Sequence, residues 1–345
     1  MTSTIKTRPK SHKLYYILSK KPTIIVAYES LESIEQMSEL IKQDRAYFII
    51  VFKWTMEDEK KVEKLGAQYI KYKEKYPGYE ITFLCNTLAE YDWLGKYNLP
   101  RIFCNQNALL DEDVYRICPK AAKKYDAVYN GQIEPFKRHH LAQRVKSLAL
   151  ITYTLYYKPI EAREKYFYKV KELLPWAIML NWVGHPRFKD CDFDPLLPRI
   201  PTKNISTHLN LARVGLILSK EEGACWAACE YLLSGLPVVS TKSKGGRDIL
   251  FDDEYAAVVE DTPEAVEEGV RKMIERNIPP EYIREKTLEK LKAHRQRFIA
   301  LVNGIYRKEG MDNDFEDEWH NVFINRMMRA QSWPGNFASE INRSF

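Results

Sequence analysis

Short apolar segments alternate with longer amphipathic ones along most of the chain, and this alternation restricts the possible folds more than any other feature. The first four apolar segments, in chain order, are TIIVAY, AYFIIVF, YEITFLCN and LPRIFCNQ. Nearly continuous apolar strands separated by helices are typical of a parallel sheet covered on both faces. The sequence therefore predicts one α/β layer structure over the first ~120 residues.

A second series of the same kind begins at residue 125. Its apolar segments are YDAVYNG, SLALITYTLYY, PWAIMLNWVG, the short NISTHL, VGLILS, LPVVST and YAAVVE. The helix TPEAVEEGVRKMIERN follows, and Thr262 is predicted as its N-cap because a threonine oxygen can accept an orphan amide of the first turn. With 345 residues, the chain predicts two doubly wound domains that meet at a cleft. Ligands of such sheets bind outside the carboxyl ends of the strands.

Composition excludes several classes of protein. A hydrophobic content of 45% with 29% charged residues is typical of a globular chain, and no apolar run approaches the ~18 residues of a membrane span. The polar, basic start and six cysteines without a CxxC pair predict a cytoplasmic protein. Cys225 and Cys229, four residues apart, are expected to pack rather than to bind a metal. The mild net charge of +6 suits anionic partners such as a nucleotide, a diphosphate or a membrane surface, and no nucleic-acid signature is present.

The segment EEGACWAACEYLLSGLPVVST, residues 221–241, carries two carboxylates in an otherwise apolar environment. Glu222 comes where a predicted strand ends and a helix begins, and Gly223 would let the backbone approach a ligand closely. Free amides of the first helical turn suit an anion such as phosphate. Glu230 follows a little over two turns later, rotated by about 80°. Two acids at different depths of one cleft suit a ligand with hydroxyl groups at two separated points.

This segment resembles a family of enzymes. The pattern S-x-x-E-G at 219–223, then Glu230, then S-G-L-P-V-V-S at 234–240 is similar to the E-x7-E segment of family 4 glycosyltransferases. Gly245 and Gly246 stand where that family has a glycine pair, and DDEYAAVVEDTPEAVEEGVRKMI resembles its closing strand and helix. The resemblance is good from Leu209 to about residue 274 and mostly architectural before residue 125. It implies the GT-B fold, which has two Rossmann-like domains facing a central cleft.

The same resemblance implies domain limits and a returning tail. It predicts an acceptor-side domain at 1–125, a nucleotide-sugar-binding domain at 126–300, and a helical segment at 301–345 that crosses back to the first domain. Trp319, Val322, Phe323 and Met327 recur there at helical spacing, which predicts core packing.

A second group of site residues follows the first strand of the second domain. YNGQIEPFKRH, residues 129–139, resembles the family pattern G-R-L-x-x-x-K-G. Gly131 and Lys137 match, Gln132 takes the place of the arginine, and Arg138 replaces the last glycine. Arginine and lysine neutralise the donor diphosphate in that family, so Lys137 is the expected catalytic cation and Arg138 a candidate to compensate for Gln132.

Further roles are implied by the resemblance alone. Glu222 would hold the transferred sugar and Glu230 the ribose hydroxyls, and the amides near Gly223 and Ala224 would contact the diphosphate. His185, in NWVGHPR, stands near the expected nucleotide. In the first domain, AYESLES replaces the family's glycine-rich loop, and Asn105, Gln106 and Asn107 occupy the usual place of a histidine.

The resemblance implies a retaining, metal-independent transfer of a sugar from a nucleotide-diphosphate-sugar to an acceptor hydroxyl, without a cofactor. Polysaccharide or glycolipid assembly in the cytoplasm, with possible peripheral contact with an anionic membrane, is the expected setting.

Three alternatives stay open. One is a catalytically degenerate nucleotide-sugar-binding protein of the same fold, and another is a GT-B phosphorylase or epimerase. A third is a metal-dependent GT-A enzyme, for which the chain offers the D-x-D sequences at residues 111–113, 190–192 and 312–314.

Overall fold

A computed structural model describes residues 13–28, 30–153, 158–182, 199–323, 331–333 and 337–342. The described strands are β1 (Lys13–Lys20), β2 (Thr23–Ala27), β3 (Ala46–Val51), β4 (Tyr79–Cys85), β5 (Arg101–Phe103), β6 (Tyr125–Gln132), β7 (Leu148–Tyr153), β8 (Ile178–Met179), β9 (Ala212–Ile217), β10 (Val238–Thr241), β11 (Ala256–Val259) and β12 (Gln331–Trp333). The α-helices are α1 (Leu31–Ser38), α2 (Glu59–Lys75), α3 (Leu88–Lys96), α4 (Ile160–Leu173), α5 (Ile205–Leu209), α6 (Trp226–Leu233), α7 (Pro263–Arg276), α8 (Pro280–Lys308), α9 (Phe315–Val322) and α10 (Phe337–Asn342).

The first lobe contains a six-stranded sheet in the order β12-β1-β2-β3-β4-β5. Strands β2 to β5 are parallel and follow one another in sequence, whereas β1 pairs antiparallel with β2 and with β12. Right-handed crossovers between strands that succeed one another in one direction put every connecting helix on the same face. Helices α1, α2 and α3 accordingly pack in one core, through residues such as Ile34, Val62 and Leu94.

The opposite face of this sheet is covered by the end of the chain. Val26 and Ile49 of the sheet share a core with Phe298 of α8 and with Trp319 and Phe323 at the end of the α9 region. Both faces are covered, as the sequence predicts, but the second layer comes from helices more than 200 residues away. The predicted packing of Trp319 and Phe323 is confirmed, and Met327 lies outside the described residues.

The second lobe contains a six-stranded parallel sheet in the order β11-β10-β9-β6-β7-β8. The strand order reverses between β6 and β9, and ligands of open α/β sheets bind at such a switch point. One element differs from the predicted strand series, because NISTHL forms the short helix α5. Two Rossmann-like sheets with a tail that returns to the first lobe confirm the predicted fold class.

A tyrosine separates the two central strands at the switch point. The last β6–β9 pair is Val128 with Gly215, and a Cβ atom on Gly215 would meet the ring of Tyr231 at 2.4 Å. Beyond that pair, the hydroxyl of Tyr231 accepts the amide of Asn130 at 2.5 Å and donates to the carbonyl of Leu216 at 3.3 Å. The ring therefore occupies the space of a side chain on β9, and a crevice opens at the carboxyl ends of the strands.

The predicted limits of the tail need adjustment. Residue 300 falls inside α8, which is continuous from Pro280 to Lys308, and the tail contains a strand, β12, besides helices. Within the ranges that the structure describes, no helix has the length and apolar character needed to cross a bilayer.

Candidate active site

Two adjoining cavities lie at the carboxyl ends of β6, β7 and β9. The inner cavity, of about 300 Å³, contains Lys137 and Glu222 and also receives Tyr28, Lys53, Trp54 and Gln106 from the first lobe. The side cavity, of about 280 Å³, contains Glu230 and Arg199. Both cavities share four lining residues, Asn130, Gln132, Tyr153 and Trp226. One continuous cleft thus brings together seven of the predicted site residues, namely Gly131, Gln132, Lys137, Glu222, Gly223, Ala224 and Glu230.

Lys137 and Glu222 form a buried ion pair. Lys137 ends a short 3-10 turn, Pro135–Lys137, that follows β6, and its ammonium donates to the Oε1 atom of Glu222. The side chains are only 10% and 12% exposed. Burial, the largest single effect, acts against the charged ammonium, but the Glu222 carboxylate together with nearby Cys225 and Tyr129 raises the pKa of Lys137 above its ordinary value. Lys137 is therefore a cation at all physiological pH values, in a site where charge interactions are poorly screened.

Glu230 lies on α6 and is 1% exposed, yet it faces the side cavity. Its Oε1 atom accepts the hydroxyl of Tyr115 at 3.2 Å, and its Oε2 atom accepts the side-chain amide of Asn130 at 2.7 Å. A carboxylate offers about four acceptor positions, so it can serve protein donors and ligand hydroxyl groups together. A carboxylate at an apparent core position of the helix is thus explained by the cleft that it lines.

Gln132 ends β6 and lines both cavities, at their junction. The sequence places it where the family has an arginine, and a glutamine can donate a hydrogen bond there but adds no charge. Gly131 precedes it and lines the inner cavity. A Cβ atom built on Gly131 would lie 3.7 Å from the Cδ atom of Lys137.

Arg138 does not enter the inner cavity, which corrects the prediction that it compensates for Gln132. Its guanidinium donates to the carbonyl of Leu218 at 2.5 Å, to Thr241 at 2.6 Å and to the carboxylate of Asp261 at 2.6 Å. Arg138 also adopts a left-handed backbone conformation, with φ at 51°, which turns the chain after Lys137. Its cation holds together loops at the ends of β9, β10 and β11.

Gly223 and Ala224 line the cleft, but contacts between the lobes occupy much of their surface. A Cβ atom on Gly223 would lie 2.7 Å from the carbonyl oxygen of Lys53, so the glycine allows a close approach of the first lobe. The carbonyl of Ala224 accepts the side-chain amide of Asn107 at 2.8 Å. Helix α6 begins two residues later, at Trp226, after Cys225 at φ 53°.

Asparagines of the first lobe fix it against the second. The side-chain amide of Asn105 donates to the carbonyl of Gly246 at 2.8 Å and to that of Asn86 at 3.1 Å. The backbone amide of Asn105 donates to the Nδ1 atom of His294 in α8 at 3.2 Å. These residues replace the histidine of the family pattern, and Asn105 and Asn107 join the lobes, whereas Gln106 lines the inner cavity.

Several cleft residues have no counterpart among the sequence predictions. They are Tyr28, Lys53, Trp54, Tyr115, Asn130, Tyr153, Arg199 and Trp226. Asn130 and Tyr153 stand at or next to the ends of predicted strands, and that position was the available signal for them. Tyr115 and Arg199 lie in loops whose approach to the cleft depends on the tertiary fold. The predicted residue His185 lies outside the described residues.

In the first and third D-x-D sequences, which the structure describes, acidic side chains bond to other residues of the protein. Glu112, within the first, makes a two-oxygen pair with Arg295, and Asp314, in the third, caps α9 and accepts the amide of Asn303 at 2.8 Å. The second, at residues 190–192, lies outside the described residues. No group of three or more His, Cys, Asp or Glu side chains suited to a metal ion occurs in the described part of the chain.

Comparison with known proteins identifies the fold. The family model for glycosyl transferases group 1 matches residues 196–290, and no curated protein matches the chain. A solved structure of a point mutant of S. aureus TarM, in complex with fondaparinux, alpha-GlcNAc-glycerol and UDP, is 13% identical with a TM-score of 0.51. That match covers 78% of this chain and 58% of TarM, so this chain spans less than two thirds of it.

Two further structures are similar over a larger share of their length. Sucrose-phosphate synthase from Thermosynechococcus elongatus is 13% identical with a TM-score of 0.52, over 76% of this chain and 67% of that one. Anabaena Alr3699/HepE in complex with UDP is 12% identical with a TM-score of 0.51, over 81% of both chains. The chain therefore has the GT-B glycosyltransferase fold, with the matched group 1 segment in its second lobe.

Proposed function

We propose that this protein is a retaining glycosyltransferase that moves a sugar from a nucleotide-diphosphate-sugar to an acceptor hydroxyl. The observation that carries the proposal is the placement of Lys137 with Glu222 in one cavity and of Glu230 in the next, at the switch point of a parallel sheet. In that arrangement a donor extends through both cavities, with its sugar and diphosphate in the inner one and its nucleoside in the side one.

Lys137 provides the main stabilisation of the leaving diphosphate. As the bond between the sugar and the diphosphate breaks, negative charge grows on the phosphate oxygens, and a cation already in place lowers the energy of that state by several kcal/mol. Its buried ammonium meets this charge in a weakly screened site. Lys53 lines the same cavity and supplies a second cation from the first lobe. It takes over the part that the sequence had suggested for Arg138.

The carboxylates bind the neutral parts of the donor. Glu222 accepts hydroxyl groups of the transferred sugar and stays paired with Lys137 until the diphosphate arrives. Glu230 accepts the ribose hydroxyls, while Tyr115 and Asn130 hold its orientation. Gln132, at the junction of the cavities, donates a hydrogen bond to the diphosphate.

The transfer step needs no protein base. The acceptor oxygen forms a bond to the anomeric carbon on the face that the diphosphate leaves, the bond to the diphosphate oxygen breaks, and the acceptor proton passes to that oxygen. The configuration of the sugar is retained. Because Lys137 and Lys53 carry the positive charge, we propose that the reaction proceeds without a metal or other cofactor, in the assembly of a polysaccharide or glycolipid.

A panel of nucleotide sugars, with products identified by mass spectrometry, tests the function. A glycoside or slow release of a nucleoside diphosphate from one donor, equal with and without EDTA, is the expected result. A sugar phosphate or an isomerised donor would instead identify a phosphorylase or an epimerase. Gln132 in place of arginine favours one further candidate, a nucleotide-sugar-binding protein without turnover, for which donor binding in calorimetry would occur with no product at all.

A further inference from the structure

A third cavity adjoins the inner one at the protein surface. This outer cavity, of about 610 Å³, is lined by Trp54, Phe136, Arg138, Lys220, Glu221 and Lys244. It shares Trp54 and Phe136 with the inner cavity, so a molecule in one can extend into the other. None of the roles assigned to the donor uses this outer cavity.

An exposed aromatic residue separates the two cavities. Trp54 follows β3 in the first lobe and is 48% exposed, and its ring meets the edge of Phe136 from the second lobe at a centroid distance of 5.2 Å. Phe136 in turn lies under the ammonium of Lys137, 5.1 Å from the ring centroid. A large indole that is half in water but held in position offers a flat apolar surface. The apolar face of a sugar ring, formed by its axial C–H groups, has the matching shape.

The outer cavity has an excess of positive charge. Glu221 is paired with Lys61 at 3.1 Å, and Arg138 is paired with Asp261 at 2.6 Å. Lys220 and Lys244 are exposed, and no carboxylate within the described ranges forms an ion pair with either. Two unneutralised cations beside an open cavity attract an anionic group.

The backbone holds these two lysines next to the catalytic loop. The amide of Lys244 donates to the carbonyl of Lys220 at 3.2 Å, and the amide of Glu222 donates to the carbonyl of Lys244 at 3.1 Å. The loops after β9 and β10 thereby continue the parallel pairing beyond the sheet. An anion held by Lys220 and Lys244 is consequently next to the loop that carries Glu222, because Lys220 precedes Glu222 in that loop and Lys244 bonds to its backbone.

We propose that the outer cavity is a subsite for an anionic saccharide acceptor. A sugar ring of the acceptor packs on Trp54, a phosphate, sulfate or carboxylate substituent binds Lys220 and Lys244, and the neighbouring sugar presents its hydroxyl to the inner cavity. This inference rests on the proposed function, because it names the class of acceptor for that same reaction.

Calorimetry on the full chain tests the subsite without any donor sugar. Three probes of similar length are compared: a galacturonic acid hexamer, a phosphorylated mannose pentamer and neutral maltohexaose. We expect one or both anionic probes to bind more tightly than maltohexaose, and to bind less tightly when NaCl is raised from about 0.05 M to about 0.3 M. Which anion binds better distinguishes a carboxylate from a phosphate substituent.

Variants connect the binding to these residues. The double variant Lys220→Gln/Lys244→Gln should lower the affinity for the anionic probe by roughly tenfold, since each exposed ion pair contributes modestly. Lys242→Gln is the matched control, because Lys242 lies in the same loop, is exposed and pairs with Glu260 at 3.1 Å outside the cavity. Trp54→Ala should lower the affinity for every sugar probe that binds, charged or neutral.

Three results would overturn the subsite: equal binding of anionic and neutral probes, binding of neither, or an equal loss in the Lys242→Gln control. Nucleoside diphosphate binding is measured on the same samples. If the nucleotide binds while the anionic probes do not, the subsite is wrong and the proposed function stands. If the nucleotide does not bind, the proposed function itself fails.

Discussion

The ammonium of Lys137 is buried against the carboxylate of Glu222, so one ion pair joins the loop after β6 to the loop after β9. These two strands are neighbours at the switch point of the second sheet, although about 80 residues of chain separate them. The pair has two consequences, one for stability and one for turnover, and substitutions can separate them.

Lys137→Met should lower both stability and turnover. Removing one partner leaves the buried Glu222 carboxylate uncompensated, which costs about 3–5 kcal/mol of unfolding free energy. Lys137→Met/Glu222→Gln removes both charges and should recover most of that stability in denaturant unfolding. Turnover should stay low in the double variant, because no cation meets the leaving diphosphate. If turnover recovered together with stability, Lys137 would have only a structural role.

Glu230→Gln should weaken nucleoside diphosphate binding by roughly 1.5–3 kcal/mol, because the ribose hydroxyls lose a charged acceptor. Calorimetry measures the change, and the similar size of glutamine keeps the shape of the side cavity. Thermal unfolding serves as the control, because glutamine keeps only one of the two oxygens that accept from Tyr115 and Asn130. Unchanged nucleotide affinity in a stable variant would remove Glu230 from the binding site.

Two glycines should respond to alanine in opposite directions. Gly245 has φ at 99°, and a Cβ atom there would lie 2.0 Å from the carbonyl oxygen of Glu222. Gly245→Ala should therefore displace the Glu222 loop and reduce both stability and nucleotide binding. Gly304 lies within α8 with no atom within 4 Å of its built Cβ, so Gly304→Ala should stabilise by about 0.5–1 kcal/mol. Circular dichroism melts of both variants provide the comparison.

Acid should destabilise the protein below about pH 6.5 through two buried histidines. Burial, with the nearby Lys137 charge, lowers the pKa of His139 to about 3, and burial with Arg297 lowers the pKa of His294 to about 4. As pH falls from 6.5 towards those values, the two histidines bind protons in the unfolded chain but not in the folded one. Each such histidine then lowers the free energy of unfolding by up to ~1.4 kcal/mol per pH unit.

His294→Gln should reduce this acid sensitivity, since a glutamine oxygen can still accept the amide of Asn105. The measurement is the unfolding midpoint at neutral pH and near pH 5, with His320→Gln, at an exposed position of α9, as the control. An acid-induced loss as large in His294→Gln as in the unchanged protein would contradict this account.

The candidate site could be predicted in part from the sequence. The motif placed Glu222 and Lys137 in a common cleft because each follows a strand of a parallel sheet, and it placed Glu230 there through the helix that begins after Glu222. Arg138 was wrongly assigned, since its three partners lie at the end of β10 and in the loops after β9 and β11. No local pattern indicates which of two adjacent cations turns inward, because that depends on the left-handed turn at Arg138 and on Asp261, far along the chain.

The sequence by itself determined the elements that depend on neighbouring residues. Apolar alternation located most strands, and Thr262 caps α7 as predicted, with its hydroxyl accepting the amide of Ala265 at 3.2 Å. Only the tertiary structure decided the strand order, the cover of the first sheet by α8 and α9, and the outer cavity beside Trp54. Periodicity and capping act over a few residues, whereas these features depend on contacts between segments that are distant along the chain.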